Sequence, residues 1–365
     1  MNHIRRYILV ALSVVVAVLA SFLITKDINA NSVITLLDGK SDFSISDFYN
    51  RVEANREEKT IDPNVVVVNI DSVFDRADLA ALLEAVEQCH PKVVGIDALF
   101  AYPKDEASDH ALITTLKRYV KNIVLAAQLD EETQCVTSNF ATQSVPQAGW
   151  GVVNLVSKGR HGVVRTYRPL YAAKDTFPSF ALSVCERMSV PVRRTAKVQH
   201  IYYSDHEFVT LNPSEVKSHA DLIHGKVVLL GTIGEAADLH VTPLSFDYPG
   251  VLIHANIISN MLDGKYLTVV DDVLNWFIGI VLAIGMAFFY LSLSGRKSKP
   301  VAIRLTLVLL VALGIVLGCF VYSVFRVSIN VPKILLIVAL GQLALDVYFA
   351  CEDFLTNRLF KKTKK

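Results

Sequence analysis

Six polar residues of this chain are of types that bind metal ions or polar ligands: Asp71, Asp97, Asp238, His240, His254 and Asn256. Asp71 and Asp97 follow the apolar runs VVVVNI (65–70) and KVVGI (92–96). Asp238 and His240 lie in LLGTIGEAADLHVTP (229–243), where a third apolar run breaks into a glycine-punctuated loop, and His254 and Asn256 follow in PGVLIHANIISNML (249–262). Carboxylates and imidazoles at the carboxyl ends of strands can serve as metal or ligand contacts. The same residue types also cap helices and complete buried hydrogen-bond networks, so position alone does not separate the two roles.

The local patterns narrow the chemistry. Gly231-Thr232-Ile233-Gly234 after an apolar strand resembles the start of a phosphate-binding turn, in which glycines let backbone N–H groups approach an anion. It lacks the Lys-Ser/Thr pair of a P-loop and the GxGxxG of a dinucleotide site, and the segment does not enter a helix directly. The six candidates have no metal-ligand spacing, so neither a metal nor a cofactor is expected. GxSxG, HExxH and paired CxxC elements are absent, which leaves an enzyme without a nucleophile. The expectation is a non-metal polar site or a structural network, and no catalytic activity.

These residues need a scaffold of alternating strands and helices. VVVVNI after Pro63 has the continuous β-branched character of a strand buried on both faces. ADLAALLEAVEQC (77–89) places Leu79, Leu82, Leu83, Val86 and Cys89 on one stripe, and KVVGIDALF (92–100) is a second buried strand. Strand, helix and strand at this spacing form a βαβ unit, which predicts Asp71 and Asp97 at the ends of two adjacent parallel strands. A helix over 109–120, strands over 122–129 and 226–233, and helices over 177–188 and 249–262 continue the pattern. WGVVNL (150–155) and VVRTYRPLY (163–171) flank the turn-forming 158–162 and read as a hairpin. Phe43, Ile45, Phe48 and Val52 are spaced for an amphipathic helix within 40–64. The fold class expected is α/β, a mainly parallel (mixed) sheet flanked by helices with an inserted hairpin, plus four transmembrane helices.

The membrane segments are YILVALSVVVAVLASFLIT (7–25) and three later runs, 273–293, 303–325 and 332–350, each near the ~20 apolar residues that span a hydrocarbon core. Arg5 and Arg6 precede the first, Arg296, Lys297 and Lys299 lie between the second and third, and Lys361, Lys362, Lys364 and Lys365 close the chain. Basic loops stay in the cytoplasm, and with four crossings all three clusters fall on that side. Residues 1–25 are then a cytoplasmic end and first helix, 26–272 an exterior domain, 273–350 three helices and 351–365 a basic cytoplasmic tail. A cleaved signal peptide is the alternative for the first segment; the run is long for one, although Ala30 leaves cleavage open. Arg304 and Asp346 are expected to reach the interface. Cys89, Cys135 and Cys185 fall in the exterior part, an odd number, and Cys89 and Cys185 sit on apolar helical stretches as buried hydrophobes. The formal charge of +1 gives no sign of a nucleic-acid partner.

IDSVFDRADLAALLEAVEQCHPKVVGIDALF, FPSFALSVCERM and above all GKVVLLGTIGEAADLHVTPLSFDYPGVLIHANIISNMLDGKYL resemble the second type of CHASE domain, a sensory extracellular module associated with cyclases and histidine kinases. The resemblance covers roughly 48–267. It implies one membrane helix before the sensor and three after it, localisation in a bacterial inner membrane with the large domain in the periplasm, and homodimers. Members of that family usually continue into an adenylate cyclase, histidine kinase or protein kinase, whereas CEDFLTNRLFKKTKK after the fourth helix is too short for a catalytic domain. The turn after the first strand is also shorter than the family's Trp-Pro version. The expectation is a signal-input protein that passes a stimulus to a separate cytoplasmic or membrane partner; the alternative is a structural or assembly subunit of an envelope complex.

Overall fold

The computed structural model describes residues 3–27, 44–55, 60–130, 132–137, 143–158, 162–172, 175–203, 207–293 and 299–362. Ala30, Phe43, Arg296, Lys297, Lys364, Lys365 and part of the expected 158–162 turn lie outside them. The chain divides into two compact units, residues 50–267 and residues 1–49 with 268–365. Helices α1 (His3–Asp27) and α2 (Ile45–Ala54) come first in the chain. On α2 the expected apolar stripe is not the buried face: Val52 is exposed, while Tyr49, Asn50 and Glu53 are buried. Polar groups can occupy such a face when they find partners, and Asn50 accepts a hydrogen bond from the Tyr203 backbone N–H at 3.3 Å.

The α/β unit is built on a seven-stranded sheet. In chain order its elements are β1 (Ile61–Asn69), α3 (Arg76–Glu87), β2 (Val93–Ile96), α4 (Glu106–Arg118), β3 (Ile123–Asp130), β4 (Cys135–Thr137) and β5 (Gly149–Val152). Then follow β6 (Val156–Lys158), β7 (Val163–Tyr167), β8 (Leu170–Ala172), β9 (Thr176–Pro178), α5 (Phe180–Arg187), β10 (Gln199–His200) and β11 (Glu207–Leu211). The last are α6 (Ala220–Ile223), β12 (Val227–Gly231), β13 (Leu239–His240), β14 (Tyr248–Pro249) and α7 (Gly250–Leu262). The sheet order is β11-β1-β12-β2-β3-β4, with β5 also on β3, and every pairing is parallel except β3 with β4.

Two expectations change. Trp150–Leu155 is not a hairpin arm: β5 joins the main sheet beside β3, and β6 with β7 forms the antiparallel pair. The glycines explain the switch, because Gly151 faces α5 so closely that a Cβ would come within 2.6 Å of the Phe180 Cα. Nor are β1 and β2 neighbours, since β12 lies between them and pairs with both.

Burial on both faces accounts for the unbroken valine run. Val66 and Val68 join Val94, Ile96 and Leu230 in a core under α3 and α4, and Val65 and Val67 join Val93, Val227 and Leu229 in a second core under α5 and α7. Successive strand residues point to opposite faces, so every residue of such a strand must be apolar. Helix α7 carries polar residues into the second core, and each has a partner. Ser259 donates to Asp62, whose other carboxylate oxygen accepts from the Asn64 and Val65 N–H groups at 2.8 Å each. The Asn260 amide exchanges two bonds with the Tyr202 backbone, at 2.8 and 2.9 Å.

Among its described residues the second unit contains four helices long and apolar enough to cross a membrane, with spans Ile4–Phe22, Asp272–Ser292, Pro300–Phe325 and Val331–Leu355. They lie in α1, α8 (Asp272–Ser292), α9 (Lys299–Phe325) and α10 (Val331–Lys362). Arg5 near the start of α1 pairs with Glu352 near the end of α10, so these ends share a side, as an even number of crossings requires. Asp346 is exposed on α10 and accepts a hydrogen bond from the Tyr290 hydroxyl of α8 at 2.6 Å. Tyr49 is 2% exposed and donates to the Ile329 carbonyl at 3.2 Å, beside Tyr322 and above Gly318, where any side chain would collide with the phenol.

Two measurements test these packing arguments. Gly151→Ala should lower stability by about 2–4 kcal/mol in chemical denaturation, because the clash is with backbone that cannot rotate away. Gln342 of α10 is 6% exposed and neither amide atom has a partner among the described residues. Gln342→Leu should therefore raise resistance to detergent denaturation by about 1 kcal/mol. A loss instead would mean that the amide is bonded in the membrane.

Candidate functional site

The insertion of β12 carries the glycine loop between the ends of β1 and β2, and so between Asp71 and Asp97. The Asp71 backbone N–H donates to Asn69 Oδ1 at 3.0 Å, which turns the chain after β1. Its carboxylate accepts the N–H groups of Ile233 at 3.0 Å and Gly234 at 2.9 Å. These are amides that a bound phosphate would need, and the anion bound to them is the protein's own. Gly234 is tight for this reason, since a Cβ would lie 3.1 Å from Asp71 Oδ2. Gly231 has a different cause: Val251 of α7 packs onto it, 2.5 Å from where a Cβ would be.

Asp97, Asp238, His240 and His254 form one electrostatic group. The Asp97 N–H donates to the Leu230 carbonyl at 2.8 Å, which fixes it beside the end of β12. Desolvation, with the nearby charge of Asp238 second, pushes the Asp97 carboxyl up to about 7. Asp238 ends a short turn (236–238) and lies 3.4 Å from His240 Nε2, and the Thr232 hydroxyl donates to its other oxygen at 3.4 Å. At the first residue of α7, Gly250 leaves the room that Asp238 fills; a Cβ there would strike the carboxylate. A carboxylate near a helix N-terminus is favoured by the helix dipole.

His254 is 5% exposed and stands edge-on to the Phe180 ring at 5.4 Å between centroids. Burial drives it down to about 4; Asp238 and a hydrogen bond to the Val153 backbone oppose that shift, and His240 adds to it. Its Nδ1 is buried without a partner among the described residues, so the bond to Val153 belongs to Nε2 and the ring is neutral at ordinary pH. Asn256 is engaged elsewhere, donating to the Tyr248 hydroxyl at 3.0 Å and the Leu252 carbonyl at 2.8 Å. Sequence reasoning missed Thr232 and Gly250. The signal for Gly250 was available, as a glycine directly after Pro249 at a helix start needs a close neighbour to explain it.

Among the described residues no group of three or more His, Cys, Asp and Glu side chains is arranged to hold a metal ion. What the cluster offers is a carboxyl near its titration point, a second carboxylate beside it and two imidazoles. A proton, a cation or a hydrogen-bond donor placed there would relieve the repulsion between Asp97 and Asp238.

The two shifted groups act oppositely on stability. Asp97, raised from 3.8 to about 7, contributes its full share below pH 3.8 and loses it as pH rises through about 7. His254, lowered from 6.5 to about 4, contributes fully above pH 6.5 and loses that share as pH falls toward about 4. Asp97→Asn should therefore raise Tm at about pH 8, by the equivalent of roughly 2–4 kcal/mol, and by less than half as much at about pH 5. Thermal melts of both proteins across that range check this, and equal shifts at the two pH values would refute the assignment.

A comparison with protein-family models matches residues 14–291 to the CHASE2 domain, from within α1 to the end of α8. Searches of curated proteins and of solved structures returned no match. The matched region spans well over half of the chain and is bracketed by helices able to cross a membrane. The family is one of extracellular sensor domains, which gives the chain a sensor or signal-input role. The mainly parallel α/β unit and its membrane helices thus belong to a protein of the CHASE2 domain family.

Proposed function

We propose that this protein is a multi-pass sensor of a bacterial inner membrane, with the α/β unit in the periplasm and no catalysis of its own. Its input is the group Asp97, Asp238, His240 and His254, and its output is read by a separate cytoplasmic or membrane partner. The observation that carries the reading is the meeting of Asp97, Asp238, His240 and His254 at the carboxyl ends of parallel strands, where open α/β sheets bind ligands, with burial raising the Asp97 carboxyl. Such a group responds to whatever neutralises it. The response becomes a signal only if the ligand prefers one arrangement of the protein over another, since equal affinity for both shifts nothing.

Thermal-shift screening of the full chain in detergent against envelope metabolites and metal ions tests the input. A ligand of this site should stabilise by about 3 kcal/mol at a hundred times its Kd, and Asp238→Ala should abolish that gain while the unliganded protein still melts cooperatively. A gain that survives Asp238→Ala would place the input elsewhere. Stabilisation by no compound would favour a docking subunit of an envelope complex. Crosslinking in cells tests the output, and recovery of the free chain alone would count against a separate partner.

A further inference from the structure

The sheet has a second opening, away from the Asp97 group. The outer edge of β3 is shared by two strands: β5 covers Val124 to Ala127 in parallel, and β4 covers Gln128 to Asp130 antiparallel. Where one hands over to the other, at Ala127, lies a cleft of about 440 Å³. Trp150 of β5 and Phe177 of β9 line it, their ring centroids 5.9 Å apart at 43°.

The aromatic wall is preformed. Gly151 faces α5, and strand alternation therefore turns Trp150 to the opposite face of the sheet. Ser183 fixes the Trp150 carbonyl with a hydrogen bond of 2.8 Å. Leu129, Val152 and Tyr171 back both rings, and the Asn154 amide clamps the Leu129 backbone with bonds of 2.7 and 2.8 Å. Other lining groups are the neutral donors and acceptors Gln134, Thr137 and Gln143, with Cys135 exposed at the rim. Among the described lining residues Asp175 is the single charged side chain, and none is a lysine or arginine.

We propose that this cleft is a binding site for a small organic cation with an apolar body. Aromatic faces attract a cation through their quadrupole and cover its apolar part. Asp175 supplies the countercharge at the opening, and amide and hydroxyl groups accept or donate the remaining hydrogen bonds. Among the described residues an anion meets only Asp175 and the negative ring faces. The site rests on different residues from the Asp97 group, so either can fail without the other.

The test uses the full chain in detergent with two charged probes, choline and phenethylammonium, each against a neutral counterpart, the tert-butyl isostere of choline and phenethyl alcohol. Protection of Cys135 from iodoacetamide, quantified by mass spectrometry, and quenching of Trp150 fluorescence report occupancy; the chain's only other tryptophan is Trp276, in α8. At least one cation should protect Cys135 at about one-tenth the concentration its neutral counterpart requires. Asp175→Asn should remove that preference, and Trp150→Leu should abolish protection. Asp175 is exposed, so its substitution leaves the fold intact even if Trp150→Leu does not. Equal protection by charged and neutral probes, a preference that survives Asp175→Asn, or no protection by either cation would overturn the assignment.

Discussion

The position of β12 is the constraint on which the α/β unit depends. It is the last strand of the sheet in sequence yet lies between β1 and β2, so the sheet closes only when the chain returns some 130 residues after β2. This placement makes Val65–Val68 interior on both edges and both faces, which no local pattern demands. It also delivers the 231–240 loop between two aspartates that were fixed much earlier in the chain. Loop and carboxylates are then bound by what each lacks: Asp71 needs donors after the turn, and Ile233 and Gly234 have unpaired N–H groups beyond the strand.

Much of this scaffold was readable from the residues, and the failures have physical causes. Strands β1, β2, β3 and β12 and helices α3, α5 and α7 were legible because burial on both faces, or on one stripe, leaves an apolar period. Their order in the sheet was not, since pairing between β12 and its neighbours is long-range and a βαβ unit looks alike whether its strands touch or leave a slot. Trp150–Leu155 read as a hairpin arm because the turn-forming 158–162 follows it; Gly151, which the backbone of α5 requires, instead lets this strand join the main sheet. On α2 the apolar period pointed to the wrong face, because Asn50 has a backbone partner that propensity cannot show.

The candidate site divides in the same way. Asp71, Asp97, Asp238 and His240 were visible as polar residues interrupting apolar strands or loops, where burial has a cost that must be compensated. Asn256 carries the same signal but spends its amide on Tyr248 and Leu252, eight and four residues earlier in the chain. His254 differs from it in one respect, an Nδ1 that is buried and has no partner among the described residues. No spacing rule distinguishes those outcomes; the fate of each lone pair and each N–H does.

The membrane unit shows the same accounting under a harsher solvent. Hydrocarbon offers no hydrogen bonds, so a polar side chain there must find its partner in the protein or carry a penalty. Near the ends of the membrane helices Asp346 takes the Tyr290 hydroxyl and Arg5 takes Glu352, and both pairs join helices far apart in sequence. Gln342 has no such partner among the described residues. Polar contacts of this kind fix register between helices that apolar packing alone would let slide, because a shift by one turn would strand both partners. Helix register in this bundle therefore rests on a few pairs. A change of partner at one of them is a discrete step, of the kind a sensor can use to hold two arrangements apart.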